Sequence, residues 1–395
     1  MKNSAIVFIG STVGVGLSRH FALSAREFHA RCSCAGDDYF ATLNRECDKG
    51  AMNSLREWVP SKNLILADDF KEIFEKVATL FEDYDFVLVH AGGGYAQMKF
   101  LIPMRKKYGS RLILIVTTHS YRHDSWKRVF MSAFQCLLYR SYVDMVIFQC
   151  PYAARRFVGS SWFFRHGKRC VIPLGVEPFG NPANAGPEQK YDDSLMQALG
   201  DNKLFKFVYL ASFRPGKKHV WLVEHMAGVL KRHPNVRIVF CGDGDNAVKI
   251  AINAATKKYG ITGQILVPGR IQRVDVPWLL SCCDCAVVPS RAETFGHTFI
   301  EPMAAGIPVM GTRVGVGEYM VRDYETGLGF DFSRKSLDCA AEYLVTHREE
   351  CRLFGENARR LVQSMFLKRN IADMLTRLYK DLLEKRGQIE TKEQK

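Results

Sequence analysis

The 395-residue sequence contains no run of about 18 apolar residues, so no membrane-spanning helix is predicted. Residues 1–9 hold one lysine and a short apolar run that stops before Gly10. This pattern is typical of a first buried strand and not of a signal peptide. Aliphatic and aromatic residues make up 47% of the chain, which favours a globular protein with a large core over a disordered one.

The sequence also lacks the residue spacing of a metal site or a disulfide framework. Its 12 cysteines include Cys282, Cys283 and Cys285, but no second pair of Cys or His residues stands at a zinc-ligand spacing. Nothing in the sequence directs the chain to an oxidising compartment. We therefore expect these cysteines to be reduced and to pack as small apolar side chains at the start of a buried strand.

Acidic residues are scarce in one part of the chain. Residues 99–169 contain 14 Lys and Arg and two acids, Asp124 and Asp144, so 14 minus 2 gives a net charge of +12. The whole chain carries a formal charge of +14. One face of one domain is therefore predicted to be strongly positive and to attract an anionic partner.

The length of the chain predicts two domains, because single cores rarely grow beyond about 250–300 residues. Short apolar segments alternate with amphipathic ones in each half, which predicts an α/β protein with two parallel, doubly wound sheets. The predicted organisation is an N-terminal domain over residues 1–178, a linker over 179–193, a C-terminal domain over 194–365, and a helix over about 366–390 that packs back on the first domain.

Each predicted element is a short apolar run or an amphipathic stretch. The predicted strands are 5–9, 63–66, 86–90, 111–117, 145–149, 207–211, 237–241, 264–267, 285–288 and 309–311. The predicted helices are 70–81, 125–142, 221–232, 245–258, 298–305 and 370–384.

Two acidic residues, Glu293 and Glu301, lie on either side of a predicted loop-to-helix junction. Glu293 follows the apolar strand at 285–288, and Glu301 lies in the first turns of a helix that ends before Gly306. In open α/β sheets ligands bind at the carboxyl ends of the strands, and the N–H groups at a helix start favour an anion. The segment therefore predicts a site for a phosphorylated ligand.

Other loops follow predicted strands in the same half. Arg214 and Lys217 flank a Pro-Gly turn, where two cations suit a diphosphate, Arg through its planar fork and Lys as a point charge. Alone, this turn is equally consistent with a solvated basic loop. Glycine-containing turns that let backbone approach a ligand closely follow at 241–244, 267–270 and 314–318.

Together these motifs resemble the nucleotide-sugar half of the retaining glycosyltransferases with the GT-B fold, the family marked by an E-x7-E motif (glycosyltransferase family 4, or glycosyl transferases group 1). The resemblance covers roughly a third of the chain in the family's order and spacing. The matching segments are 214–217, 242–244, 268–270, 289–296, 301–309 and 315–318, with Gly327 downstream. Two departures are Leu174, where asparagine is usual, and Thr294, where a small residue is common, so the donor stays open.

The resemblance implies two such domains facing an interdomain cleft, and a role for each matching residue. Arg214 and Lys217 would hold the donor diphosphate and stabilise the charge that grows as it leaves. Glu293 would bind the sugar hydroxyls, and His119, after a strand of the first half, would touch the sugar or the acceptor. The remaining implied donor contacts are Glu301 to the ribose, Phe295 and Gly296 through backbone N–H groups, Arg270 beside the base or ribose, and Gly14 and Gly16 at the phosphates.

A nucleophile and acid pair, as in a retaining glycosidase, is the alternative for the two glutamates. That pair needs carboxyls about 5 to 5.5 Å apart. A loop residue and a helix residue that bind opposite ends of a nucleotide sugar would lie farther apart. We therefore expect front-face transfer with retention, in which the departing phosphate takes the acceptor proton, without a cofactor or a required metal ion.

The basic segment contains a predicted helix, 125–142, with large apolar residues near one face. Its aromatic and basic residues suit docking at an anionic membrane surface. A core helix with a solvated charged rim explains the same pattern. The residues assigned to a membrane or acceptor patch are Trp126, Lys127, Arg128, Arg140, Arg155 and Arg156.

The sequence favours a retaining hexosyltransferase that moves a sugar from a nucleotide-diphosphate sugar to a membrane-associated glycolipid or polysaccharide, as in lipopolysaccharide, capsule or glycolipid synthesis. We expect it to be cytoplasmic and peripherally bound to the inner face of the membrane. One alternative is a nucleotide-sugar epimerase or hydrolase on the same fold. Another is a nucleic-acid-binding protein, which explains the positive charge but leaves Glu293, Glu301 and the glycine loops unexplained, so no nucleic-acid partner is expected.

Overall fold

The computed structural model describes residues 4–9, 37–43, 59–92, 94–118, 126–157, 168–176 and 186–393. The chain divides into two compact units. Unit 1 comprises Met1–Gly175 and Lys368–Lys395, and unit 2 comprises Val176–Leu367. Each unit is built on its own parallel sheet, so the prediction of two doubly wound α/β domains is confirmed.

The sheet of unit 1 has seven described strands in the order β3-β2-β1-β4-β5-β6-β7, and the sheet of unit 2 has six in the order β10-β9-β8-β11-β12-β13. All the strand pairs are parallel. The strands are β1 (Ser4–Ile9), β2 (Asp37–Leu43), β3 (Leu64–Ala67), β4 (Phe86–Gly92), β5 (Leu112–Thr117), β6 (Met145–Phe148), β7 (Arg169–Val171), β8 (Phe205–Leu210), β9 (Val236–Cys241), β10 (Ile265–Gly269), β11 (Cys285–Val288), β12 (Val309–Gly311) and β13 (Gly327–Gly329).

Helices connect the strands in both units. The described helices are α1 (Phe70–Asp83), α2 (Tyr95–Tyr108), α3 (Trp126–Tyr142), α4 (Pro151–Arg156), α5 (Asp193–Gly200), α6 (His219–Arg232), α7 (Asn246–Tyr259), α8 (Val276–Ser281), α9 (His297–Ala305), α10 (Gly317–Met320), α11 (Arg334–Thr346), α12 (Arg348–Met365) and α13 (Lys368–Glu393). Within the described part of the chain, none of them is both long enough and apolar enough to cross a bilayer.

The central strands follow from continuous apolar runs. All seven residues of β4 are buried, as are the four residues of β11, because a parallel strand in a doubly wound sheet is covered on both faces. Cys285 lies in β11, and it and Cys283 are buried, where desolvation raises the pKa of both thiols well above 9.0. Both therefore pack as neutral, small apolar side chains.

The last helix, α13, belongs to the core of unit 1. Its apolar face, Ile371, Leu375, Tyr379 and Leu383, is buried in one cluster with strand residues such as Leu88. In addition, the Tyr379 hydroxyl and His90 Nδ1 on β4 share a hydrogen bond. The C-terminal helix of the chain is therefore part of the core of the N-terminal unit.

Every predicted strand is present, with ends within two residues of those predicted. The sequence analysis missed three strands, β2, β7 and β13, and seven helices, α2, α4, α5, α8, α10, α11 and α12. β7 and β13 have three residues each, too few for a periodic signal. β2 begins with two aspartates, and α2 contains Pro103, which disfavours a helix in sequence although neighbouring packing holds it.

Candidate functional site

The edge of the unit 2 sheet at which its strands end carries five loops. The strand order turns at β8, since β9 and β10 lie on one side of it and β11 to β13 on the other. Ligands of open α/β sheets bind outside the carboxyl ends of the strands at such a switch point. We call the loops that leave this edge the edge loops: residues 211–218, 242–245, 270–275, 289–296 and 312–316.

Lys217 and Glu293 form an ion pair between two edge loops. Lys217 ends a 3-10 turn after β8, and its ammonium group donates a hydrogen bond to Glu293 Oε1 in the loop after β11. The side chains are 21% and 12% exposed, so the pair is largely withdrawn from water. The structure thus brings together two predicted site residues that lie far apart in the sequence, on different loops.

A buried tyrosine fixes the two loops that hold this pair. The Tyr209 hydroxyl on β8 donates to the Lys217 carbonyl oxygen over 3.1 Å and lies 2.9 Å from Ser290 Oγ. Thr312 Oγ1 in turn donates to the Ser290 carbonyl oxygen over 2.6 Å. Burial and the nearby Glu293 charge raise the pKa of Tyr209 well above 10.0, so it remains a neutral, structural hydrogen-bonding group.

Backbone hydrogen bonds join the remaining edge loops. The Arg291 N–H donates to the Gly216 carbonyl over 3.2 Å, and the Val316 N–H donates to the Phe295 carbonyl over 2.7 Å. The bonds from the Phe213 N–H to the Asp243 carbonyl and from the Gly242 N–H to the Gly269 carbonyl measure 2.9 and 2.8 Å. The loops are therefore positioned by the protein itself, before any ligand arrives.

Two glycines permit this close packing around Glu293. Gly315 has a φ of +58°, and a Cβ there would lie 2.2 Å from the Phe295 carbonyl oxygen and 2.9 Å from Glu293 Cβ. Gly296 has a φ of +108° and ends the loop at the start of α9. Both positions combine a left-handed backbone with no room for a side chain, which explains the glycines that the sequence analysis singled out.

The start of α9 presents backbone donors beside the ion pair. Gly296 is the N-cap of the nine-residue helix, and because it has no side chain it cannot itself accept from the first N–H groups. Positive charge from the helix dipole adds to these donors. Farther along α9, the buried carboxylate of Glu301 accepts a hydrogen bond from Arg273 Nη1 in the edge loop after β10. Each glutamate of the E-x7-E pair therefore has its own cation.

The two other predicted cations, Arg214 and Arg270, are exposed. Among the described residues no carboxylate forms an ion pair with Arg214, although the Lys217 N–H binds its carbonyl oxygen over 3.0 Å. The guanidinium groups are thus available to an anion at the same edge. Phe295, by contrast, is buried, and can offer a ligand only its backbone.

The expectation that no metal ion is required rested on the absence of an Asp-x-Asp sequence at a strand end, and this premise was wrong, because Asp243 and Asp245 follow the end of β9. Asp243 Oδ1 accepts from the Gly244 N–H over 2.8 Å and lies 3.5 Å from Lys249 Nζ. Asp245 caps α7 by accepting from the Ala247 N–H over 2.8 Å. Both carboxylates thus have structural roles in this loop. Across the described ranges no group of three or more His, Cys, Asp or Glu side chains could hold a metal ion.

The sequence analysis also missed Arg273, Tyr209 and His219. Arg273 lies three positions after Arg270 in the same loop, and this proximity was the available signal. His219 begins α6 two residues after Lys217 and is buried against the rings of Tyr209 and Phe213. Burial, and then the Lys217 charge, lowers the pKa of His219 to about 4, so the ring stays neutral beside the cation.

The predicted residues of unit 1 are only partly described. Gly14, Gly16 and His119 lie outside the described residues, as do the side chains of Trp126, Lys127 and Arg128, which belong to α3. Arg140, at the end of α3, is exposed, and so are Arg155 and Arg156, which end α4. The candidate site that the structure describes is therefore the edge of unit 2.

Comparison with known proteins agrees with this geometry. Residues 193–361 match the family described as Glycosyl transferases group 1. In sequence the chain is similar to the alpha-monoglucosyldiacylglycerol synthase of Acholeplasma laidlawii, with 26% identity over 231 residues, which cover 55% of this chain and 54% of that protein. The chain spans about half the length of the curated relatives it matches. The resemblance to this family that was predicted from the sequence is confirmed over residues 193–361.

Solved structures resemble the whole chain. The Anabaena protein HepE in complex with UDP superposes with a TM-score of 0.73 and 17% identity, covering 96% of this chain and 99% of that one. The lipopolysaccharide outer core galactosyltransferase WaaB superposes with a TM-score of 0.66 and 13% identity, covering 94% and 98%. At these identities the likeness concerns the fold, and the predicted GT-B fold is confirmed.

Proposed function

We propose that the protein is a glycosyltransferase that takes a sugar from a nucleotide-diphosphate sugar bound at the edge of unit 2. The Lys217–Glu293 ion pair carries the proposal. It holds a cation for a diphosphate and a carboxylate for sugar hydroxyls side by side, next to the N-terminal end of α9. An ordinary solvated basic loop requires none of these contacts. The family match supports the same assignment.

The donor is proposed to be a uridine-diphosphate sugar. The HepE structures are described as complexes with UDP and with UDP-glucose, which supports this choice through the shared fold. In this chain Arg214 and Lys217 would meet the two phosphates, and Glu301 would accept hydrogen bonds from the ribose. Arg270, exposed after β10, would lie beside the base or ribose.

The proposed reaction retains the configuration of the sugar. The bond between the anomeric carbon and the diphosphate oxygen breaks, and the acceptor oxygen bonds to that carbon on the same face. The departing phosphate oxygen takes the acceptor proton, so no carboxylate needs to act as nucleophile. Lys217 and Arg214 stabilise the negative charge that grows on the diphosphate as it leaves, which is the kind of electrostatic help that usually dominates. We propose that no metal ion is required.

The acceptor is proposed to be a glycolipid or a polysaccharide carried at a membrane, with the protein bound peripherally to the cytoplasmic face. A relative named for a glucosyldiacylglycerol and a structural neighbour named for the lipopolysaccharide outer core support a lipid-borne acceptor. The +12 charge of residues 99–169 in unit 1 supports an anionic partner.

Melting temperatures measured with a set of nucleotide sugars test the donor site without knowledge of the acceptor. A ligand at 100 times its Kd stabilises the folded state by about 2.7 kcal/mol. We expect UDP-glucose or another UDP-sugar to raise the melting temperature of the wild type and to fail with Lys217→Ala. Equal melting curves with every nucleotide sugar at millimolar concentration would contradict the proposal.

Conversion of the donor without an acceptor separates transferase from epimerase or hydrolase. The protein is incubated with the stabilising nucleotide sugar alone, and the products are separated by chromatography. We expect slow turnover at most. Rapid formation of an epimer or of free sugar would instead identify the alternative reaction on the same fold.

A further inference from the structure

Asp275 occupies the N-cap position of α8, but its carboxylate does not cap that helix. Aspartate at this position ordinarily accepts a hydrogen bond from an N–H group of the first turn. The Asp275 side chain accepts none from α8. It is only 1% exposed, and among the described residues no cation forms an ion pair with it. A buried charge needs hydrogen bonds, so the groups that supply them define the role of this carboxylate.

The partners of Asp275 lie in the segment before α5, residues 186–192, which we call the clamp segment. The Glu188 N–H donates to Asp275 Oδ1 over 2.7 Å, and the Tyr191 hydroxyl donates to Asp275 Oδ2 over 2.6 Å. The Tyr191 ring also stacks on Trp278 of α8, with ring centroids 5.8 Å apart and planes inclined by 10°. The carboxylate therefore joins the clamp segment to the edge loop of residues 270–275.

The Tyr191 hydroxyl also closes a turn within this edge loop. It accepts from the Gln272 N–H over 3.1 Å while it donates to Asp275, so one oxygen bridges the two ends of the turn. The Asp275 N–H donates to the Gln272 carbonyl over 3.0 Å and completes the turn. Arg273 begins the 3-10 segment Arg273–Asp275 and thus lies between the two residues that Tyr191 holds.

Arg273 connects this turn to the proposed donor site. Its guanidinium group donates to the Glu301 carboxylate on α9. The Arg273 side chain is 48% exposed, so solvent screens this ion pair and the pair by itself positions the two groups weakly. The backbone on either side of Arg273, by contrast, is fixed through Tyr191. The direction from which Arg273 reaches Glu301 is therefore set by the clamp segment.

We infer that Tyr191 is a positioning residue for the nucleoside end of the donor site. Through the turn that it closes, it places Arg273, and Arg273 holds the Glu301 carboxylate towards the ribose. The inference rests on the proposed function and deepens it. It identifies a residue outside the edge loops that governs nucleotide affinity without contacting the nucleotide.

Calorimetric titration of the full chain with UDP tests the inference. Tyr191→Phe removes one hydroxyl and keeps the ring that stacks on Trp278. We expect this variant to bind UDP about ten-fold more weakly than the wild type, because both hydrogen bonds of the Tyr191 hydroxyl are lost and one of them is to a charged group.

Tyr343→Phe is the matched control for the loss of a hydroxyl. The Tyr343 hydroxyl also donates to a carboxylate of unit 2, that of Glu350. This bond joins α11 to α12 and lies outside the edge loops. We expect Tyr343→Phe to change UDP affinity by less than about two-fold.

A double-mutant cycle with Arg273→Ala distinguishes a positioning role from a general loosening of unit 2. If Tyr191 acts through Arg273, adding Tyr191→Phe to Arg273→Ala should weaken UDP binding by less than about two-fold. A merely structural role of Tyr191 would give the full loss in both backgrounds. Melting temperatures of the four proteins in the cycle verify that each is folded.

The failure of the inference and the failure of the proposed function give different results. A wild type that does not bind UDP would contradict the proposed donor and, with it, the inference. Equal UDP affinity of the wild type and Tyr191→Phe would overturn the inference alone and leave the donor site standing. An equal loss in both backgrounds of the cycle would also overturn it, because Tyr191 would then not act through Arg273.

Discussion

Lys217 and Glu293 form an ion pair although 76 positions separate them in the chain. They meet because β8 and β11 are neighbours at the centre of the unit 2 sheet, and each residue lies in the loop after one of these strands. Both side chains are mostly shielded from water, where their attraction is less screened. At the proposed site, a nucleotide-diphosphate sugar would therefore meet a cation and a carboxylate that already hold each other in place.

Loss of either partner of this pair should abolish transfer. Lys217→Ala removes the positive charge that is proposed to stabilise the leaving diphosphate. Glu293→Ala removes the carboxylate that is proposed to bind the sugar hydroxyls. We expect each to lower kcat/KM by at least about 100-fold, the effect typical of a preorganised charge at a reacting centre. The measurement is transfer of radiolabelled sugar to membrane lipid, with urea unfolding to verify the fold.

The solvent-exposed ion pair Lys76–Glu72 on α1, with a separation of 2.7 Å, supplies the control. Lys76→Ala and Glu72→Ala should leave transfer unchanged, since solvent screens an exposed ion pair of this kind and it lies on a helix of unit 1. Wild-type rates in both Lys217→Ala and Glu293→Ala would refute the site assignment.

Glu301 should distinguish ribose from deoxyribose. Its buried carboxylate is paired with Arg273 in the free protein and is proposed to accept from the ribose hydroxyls. A hydrogen bond to a charged group contributes about 1.5–3 kcal/mol, so the wild type should bind UDP about 10- to 100-fold more tightly than 2′-deoxy-UDP. Glu301→Gln should bind the two nucleotides with similar affinity in calorimetric titrations.

Arg273→Ala is the matched variant, because it removes the partner of Glu301 but keeps the carboxylate. It should still prefer the ribonucleotide. Equal preference for ribose in the wild type and in Glu301→Gln would show that Glu301 does not contact the ribose.

His219 should make unit 2 less stable in acid. It is 1% exposed, and its two ring nitrogens have no hydrogen-bond partner. Its pKa is lowered from 6.5 to about 4 by burial and by Lys217. As the pH falls through 6.5 the unfolded chain binds a proton that the folded chain does not bind until about pH 4, so stability falls with pH across this window.

Urea unfolding at pH 7.5 and at about pH 4.5 measures this effect. The phenylalanine variant His219→Phe cannot titrate, and its free energy of unfolding should fall less between the two pH values, by up to about 3 kcal/mol. At pH 7.5 the histidine is neutral in both states, so that measurement gives the variant's baseline. Parallel pH profiles of wild type and variant would contradict the assignment.

Truncation of one α13 residue should show that this helix is part of the core of unit 1. Leu375 is 8% exposed, whereas the preceding Met374 is 40% exposed. Leu375→Ala should therefore lower the free energy of unfolding by about 2–5 kcal/mol, and Met374→Ala by less than about 0.5 kcal/mol. Thermal or urea unfolding checks both variants. Equal costs would mean that α13 does not pack through this face.

The strands that the sequence predicted are those whose residues are apolar without interruption. β11, over Cys285–Val288, was predicted to the residue because both of its faces are covered. β2 was missed because Asp37 and Asp38 begin it, although Asp38 is buried in the folded unit. The local sequence pattern therefore predicts a buried strand only where the buried residues are apolar.

The residues of the candidate site also fall into those that the sequence predicted and those that it did not. The sequence identified Arg214, Lys217, Glu293 and Glu301 as residues at the ends of strands and the start of a helix. It did not identify Arg273 as the partner of Glu301, because this contact depends on how the loop after β10 crosses to α9. Pairings between distant loops are set by strand order, which no local spacing encodes.

By itself, the sequence determined the alternation of strand and helix, the family resemblance of the C-terminal half, and the excess of positive charge in residues 99–169. Each of these follows from residue type and spacing. Only the tertiary structure decided that Lys217 neutralises Glu293, that α13 closes unit 1, and that Phe130 and Phe134 stay exposed to water. The physical reason is that pairing and exposure depend on which elements pack together, and packing is a property of the whole fold.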